Sequence, residues 1–153
     1  MKLSAELAYR TIDLVYAESG LKAVVCDTDG MIIAAVEKDR IGTVHSGACR
    51  ILQEGVDEVT ATPEEETLSG GTVGSGVHLP IKLGPVVVGT YGIGGEPSMV
   101  RSIARISVGL IREDLHKQQI RRQMQEQDRR FQTLFASMNE GVALHEVVVD
   151  EAG

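Results

Sequence analysis

A heptad pattern toward the C-terminal end constrains this chain more than any other feature. With Ile103 as an a position, the a series runs Ile103, Leu110, Lys117, Met124, Phe131 and Met138. The d series is Ile106, Glu113, Ile120, Gln127 and Leu134. Alternating three- and four-residue spacing, held over about five heptads, is the seam of a two-stranded coiled coil. Glu113, Lys117 and Gln127 interrupt it. Polar seam residues weaken such a pair while setting its register. The pattern predicts a long helix over residues 98–139, pairing two copies of the chain between Ile103 and Met138. The competing reading is a long amphipathic helix packed on its own domain.

Upstream of that helix the pattern changes to short alternating elements. Ser4 is placed to cap a helix over residues 4–19, with Leu7, Ala8, Ile12, Leu14 and Val15 at helical spacing and Gly20 as its stop. Residues 21–26 and 31–36 read as two strands joined by Asp27-Thr28-Asp29-Gly30, a turn in which Gly30 can take positive φ. Residues 41–54 read as a second helix, striped by Ile41, Val44, Ala48, Ile51 and Leu52 and ended by Gly55. A short strand at residues 58–60 follows. Thr62-Pro63-Glu64-Glu65 then has the form of a helix start, so its carboxylates read as first-turn residues rather than a catalytic cluster. A glycine-rich stretch at residues 70–76 leads into two strands, residues 77–83 and 86–93, turned by Gly84-Pro85. The predicted order is α-β-β-α-β-α-β-β-α. That order implies an α+β fold with an antiparallel-dominated sheet, flanking helices and a long C-terminal coiled-coil helix.

Composition narrows the function classes. Aromatics make up 3% of the 153 residues and Trp is absent, so the core rests on aliphatic side chains and base stacking has little to work with. A net charge of −7 lacks the basic footprint of a nucleic-acid binder. No apolar run approaches the length needed to span a bilayer, and the opening residues do not form a signal peptide; the expectation is a cytoplasmic protein without a membrane partner. Cys26 and Cys49 read as buried free thiols without metal-ligand spacing.

Neither a nucleophile elbow nor a phosphate-binding loop is present, and Gly89-Thr90-Tyr91-Gly92 lacks the strand–helix–strand context of a dinucleotide site. The chain is therefore not expected to be an enzyme, and no catalytic residue, metal or cofactor is assigned. The candidate chemistry is anion binding. Arg40-Ile41-Gly42-Thr43-Val44-His45-Ser46-Gly47-Ala48 follows a strand and opens the predicted helix. Helix-start amides favour an anion, glycines admit it to the backbone, and a guanidinium adds a forked contact to a carboxylate. Such a charge-assisted bond contributes about 1.5–3 kcal/mol. The second candidate lip is Gly74 to Ile81. There His78 and Lys82 share one face of the strand, while Val77 and Leu79 take the other. The alternative reading is a haem- or small-molecule-binding, enzyme-like domain of similar fold, with His45 as the haem ligand.

At these residues the chain resembles the sugar diacid recognition domain, the N-terminal sensor of bacterial sugar diacid utilisation regulators. The motifs that carry the resemblance are Arg40-Ile41-Gly42-Thr43-x-His45-x-Gly47-Ala48 and Gly76-Val77-His78-Leu79-Pro80-Ile81. Two more are Val88-Gly89-x-x-Gly92-Ile93-x-Gly95-Glu96-Pro97 and the hairpin around Asp27 and Gly30. It covers about residues 3–118 and implies a sensor of the Per-Arnt-Sim type for glucarate, galactarate or glycerate. Carried over position by position, it implies ligand-binding roles for Arg40, Ile41, Gly42, His45, Gly47 and Ala48, and for Gly76, Val77, His78 and Leu79. The family's usual residue before Leu-Pro-Ile is asparagine, where this chain has His78. Residues 131–144 resemble the opening of a Per-Arnt-Sim domain, an entry helix and a first strand, with the residues from about 140 expected to be frayed. The division implied is a sensing domain over residues 1–97, a signalling helix over 98–139 and a truncated second domain over 131–153. The parent would carry a histidine kinase or cyclic-dinucleotide output.

Overall fold

The computed structural model describes residues 2–68, 70 and 74–152, with side chains as far as Asn139. Helix α1, Ala5–Ser19, starts where Ser4 accepts a hydrogen bond from the Leu7 amide at 3.3 Å and stops at Gly20, in the left-handed region at φ 72°. Strands β1, Ala23–Cys26, and β2, Ile32–Ala35, form the expected hairpin. Asp27 Oδ1 closes its turn by accepting from the amides of Asp29 (2.9 Å) and Met31 (3.0 Å). Helix α2, Ser46–Glu54, is followed by β3, Val59–Ala61, and α3, Pro63–Leu68. At α3, Thr62 and Glu65 cap each other's amides. Strands β4, Gly76–Leu83, and β5, Val86–Gly94, precede α4, Pro97–Ala152.

The five strands make one antiparallel sheet in the order β2-β1-β5-β4-β3. Alternation divides its side chains between two layers. Val25, Val77, Leu79, Ile81, Tyr91 and Ile93 join Leu7, Ile12 and Val15 of α1 and Val100, Ala104, Val108, Ile111 and Leu115 of α4 in the main core. Val24, Cys26, Ile32 and Ala35 form a smaller cluster with Ala48 of α2. His78, Thr90 and Gly92 lie on this second face, because they alternate with Val77, Leu79, Tyr91 and Ile93.

Two expectations need correction. The helix predicted over residues 41–54 begins only at Ser46. Lys38–Arg40 form a turn of 3-10 helix, and Gly42 takes φ 87°, which ends any helical path there. Residues 42–45 instead run along the free edge of β2. The Gly42 amide donates to the Ile32 carbonyl, Ile32 to Thr43 and His45 to Gly30, each at 2.9 Å. The strand expected after Asn139 is also absent, since α4 continues to Ala152. A lone strand has no neighbour to complete its hydrogen bonds, whereas a helix closes its own.

The chain divides into two compact units, Met1–His116 and Lys117–Gly153. In the first, one stripe of α4 is buried in the core, while Met99, Ile106 and Leu110 on another stripe are exposed. In the second, Ile120, Met124, Phe131, Leu134 and Met138 are all exposed. Most heptad positions of α4 thus lie off the stripe that packs on its own domain, although Ile103 packs against that core.

Candidate functional site

The second face of the sheet gathers a polar group under the start of α2. His45 is the residue that caps α2: its Nδ1 accepts a hydrogen bond from the Gly47 amide at 3.1 Å. A ring nitrogen that accepts carries no proton, so the imidazole is neutral with its hydrogen on Nε2. The ring lies on that of His78, with centroids 4.5 Å apart and planes tilted by 36°. His78 is buried, and its Nε2 is 2.7 Å from Thr90 Oγ1. Thr90 also lies beside the buried thiol of Cys26, whose ionisation burial pushes up to about 12.

Glycines make this packing possible. A Cβ on Gly92 would run into the His78 ring. A Cβ on Gly47 would sit 3.2 Å from the His45 ring and 3.3 Å from that of His78. Gly92 must therefore stay without a side chain for the ring pair to fit, and a side chain at Gly47 would crowd both rings.

Electrostatics reinforce the geometry. Burial, and after it the Arg40 guanidinium, lower the His45 pKa to about 4. Burial, then His45, then Arg40 lower His78 to about 3. Arg40 thus lies close enough to act on both rings. Its side chain is 42% exposed and, among the described residues, makes a long, 3.9 Å contact to Glu37. Glu37 holds Lys22 at 2.9 Å instead.

The sequence-predicted residues fall into three groups. Arg40, His45, Gly47, Ala48 and His78 are brought together at the start of α2. Ile41 is exposed, and the Gly42 amide is occupied by Ile32. Val77 and Leu79 point their side chains into the main core on the opposite face, and Gly76 approaches the Ile93 carbonyl too closely for a side chain. Lys82 is engaged by Asp57 at 2.8 Å. Of the glycine-rich stretch, Gly71, Thr72 and Val73 lie outside the described residues, and the Ser75 amide donates to Glu66 at 3.1 Å. Thr90 and Gly92 were not singled out as site residues. Their place under His78 depends on the β4–β5 register, which pairs His78 with Gly92.

The site face is filled by the imidazole pair. Hollows are also found elsewhere: one of about 380 Å³ between Lys2, Leu3, Asp27, Thr28, Asp29 and Val88, and a shallow, open groove along Met124 to Phe131. Among the described residues no three metal-ligating side chains converge, and no helix is long and apolar enough to cross a membrane.

The chain belongs to the family described as "Putative sugar diacid recognition", whose sequence profile matches residues 3–138. It is 29% identical over 123 residues to YsfB of Bacillus subtilis (strain 168), covering 78% of this chain and 33% of that protein. It is also 29% identical over 109 residues to the carbohydrate diacid regulator of Escherichia coli (strain K12), covering 69% of this chain and 26% of that one. The chain therefore spans between a quarter and a third of these relatives. Among solved structures, the cofactor-binding GAF domain of the nutrient sensor CodY from Clostridium difficile is similar at TM-score 0.47 and 12% identity. That match covers 75% of this chain and 86% of the CodY domain, and a likeness this low adds nothing to the fold already described.

Proposed function

We propose that this chain is the ligand-sensing domain of a bacterial signal-transduction or transcription regulator, of the Per-Arnt-Sim type. It binds a small carboxylate or sugar diacid such as glycerate, glucarate or galactarate. It works in the cytoplasm as a dimer paired through α4. The observation that carries this reading is the convergence of Arg40, His45 and His78 beside Gly47 and Gly92. One permanent cation and two hydrogen-bonding rings meet where the backbone has been stripped of side chains. Membership of the sugar diacid recognition family and the name of the Escherichia coli relative support the same ligand class.

In this reading the His45 ring occupies the ligand's place. An entering carboxylate takes over the Gly47 amide and the Arg40 guanidinium, and the ring swings aside. The displacement is felt by β5 through Thr90 and Gly92, and Tyr91 between them packs into the core shared with α4. A ligand shifts such an equilibrium only by binding one arrangement better than the other. The test is calorimetric titration of the purified protein with glycerate, glucarate and galactarate. Saturable heat that is lost in Arg40→Gln supports the site; an equal response in both proteins removes it.

A further inference from the structure

Building on the proposed pairing through α4, we infer that α1 completes the surface that receives the second copy. The dimer then joins four helices, α1 and α4 of each chain. The residues concerned lie in the sensing unit, Met1–His116.

Helices α1 and α4 both pack on the main-core face of the sheet. Ser19 ends α1 shortly before β1, Pro97 starts α4 shortly after β5, and Ala23 of β1 pairs with Ile93 of β5. The two helices therefore meet the sheet at the same end and run in opposite directions. Arg10 of α1 reaches Asp114 of α4 at 3.7 Å. Leu14 stands one turn after Arg10 and Leu110 one turn before Asp114, which brings the two leucines to the same level. Leu14 is 51% exposed, and Leu110 and Ile106 are exposed as well. The core takes Leu7, Ala8, Ile12 and Val15 from α1, so Leu14 has no part in that packing. Leu14, Leu110 and Ile106 thus form an apolar strip that crosses from one helix to the other.

Gly109 lies at the border of this strip. It sits inside α4 without positive φ, and a Cβ there would meet nothing within 4 Å among the described residues. A single chain thus gives no steric reason for glycine, which destabilises a helix interior relative to alanine. The heptad register supplies a reason. With Ile106 at d and Leu110 at a, Gly109 is a g position and Asp114 is the e position five residues on. In a parallel pair, g residues of one helix face e residues of the other. Gly109 of one copy therefore comes against Asp114 of the second, on the side where Arg10 and Leu14 of α1 lie. A side chain at g would collide with α1 there, and glycine leaves room for it. The occupant is a second copy because Ile106 and Leu110 stand in the same a and d register as Ile120, Met124, Phe131, Leu134 and Met138. A partner aligned on that register arrives at the Leu14 flank without further adjustment.

Sedimentation equilibrium of the whole chain tests this with three variants. Leu14→Glu and Gly109→Leu should each weaken dimerisation about tenfold or more. Tyr16→Glu adds the same charge at an exposed position on the opposite side of α1 and should leave dimerisation unchanged. Thermal unfolding of dilute, monomeric protein separates pairing from folding. There Gly109→Leu should keep or raise the midpoint, since leucine is the better helix former, even as it weakens the pair. If Leu14→Glu and Gly109→Leu dimerise as tightly as wild type while Met124→Glu with Leu134→Glu is monomeric, the inference is overturned and the α4 seam stands. Equal weakening by Tyr16→Glu would trace the effect of Leu14→Glu to added charge and overturn the role of α1 as well. A wild-type chain that stays monomeric removes the seam and the inference with it.

Discussion

At the scale of single residues, the histidine pair makes the domain acid-sensitive. Both pKa values are depressed in the folded state, from 6.5 to about 4 for His45 and about 3 for His78. Above pH 6.5 the rings are neutral whether the chain is folded or not, and they leave stability unchanged. Between that value and the folded values the unfolded chain binds protons that the folded one refuses, so stability falls as pH decreases. Below the folded values the loss levels off. Chemical denaturation across pH 3.5 to 7.5 should show this decline, and His78→Asn should flatten it. A profile in the variant as steep as in wild type would remove the buried pair as its cause. Gly92→Ala tests the packing beneath the pair. Its new methyl meets the His78 ring, and the expected destabilisation is about 1–3 kcal/mol by urea unfolding.

At the scale of elements, the β1–β2 hairpin was legible because Asp27 and Gly30 supply side-chain and backbone turn chemistry within four residues. The start of α2 was not. Ile41 and Val44 fit a helical stripe, yet both are exposed in the structure, and the positive φ of Gly42 decides the path. An edge pairing with β2 had overridden local periodicity, and no local pattern announces it. The face of His78 followed from strand alternation alone. The partnership with Thr90 and Gly92 did not, since it needs the register between two strands. Helix α4 supplies a further test, through the buried Tyr91 that packs in its core layer. Among the described residues its enclosed hydroxyl has no hydrogen bond of good geometry; burial pushes its pKa up to about 12, and a side-chain interaction with Ser107 opposes the shift. The Ser107 hydroxyl donates to the Ile103 carbonyl at 2.7 Å. Removing an unsatisfied buried hydroxyl relieves a desolvation cost, so Tyr91→Phe should leave stability unchanged or raise it by about 1 kcal/mol. A large loss in thermal or urea unfolding would show that the hydroxyl is satisfied after all.

At the scale of the whole molecule, α4 carries two apolar stripes, one buried in its own domain and one exposed. Val100, Ala104, Val108, Ile111 and Leu115 are buried in the main core, and Met99, Ile106, Leu110, Ile120, Met124, Phe131, Leu134 and Met138 at heptad positions are exposed. The sequence showed the second stripe plainly, since its seven-residue repeat is independent of any fold. It could not show that the first, at Val100 to Leu115, is claimed by the sensing unit's own core. Pairing two copies through the seam would cover residues such as Ile120, Met124 and Leu134 that now face solvent. Light scattering should therefore give a dimer for the whole chain and a monomer for Met124→Glu with Leu134→Glu. A monomeric wild type would end the proposed dimer. The same pair of substitutions should leave the affinity for acids intact, because the proposed binding site and the proposed pairing seam lie on different elements.

The most direct test of the account follows the two imidazoles themselves. With histidine rings isotopically labelled, the Cε1–H signals of His45 and His78 can be recorded while gluconate or glycerate is titrated in. Both signals are expected to shift saturably together, and to stay still in Arg40→Gln. Saturable binding that moves neither ring, or moves them equally without the guanidinium, would contradict the placement of the ligand at this site.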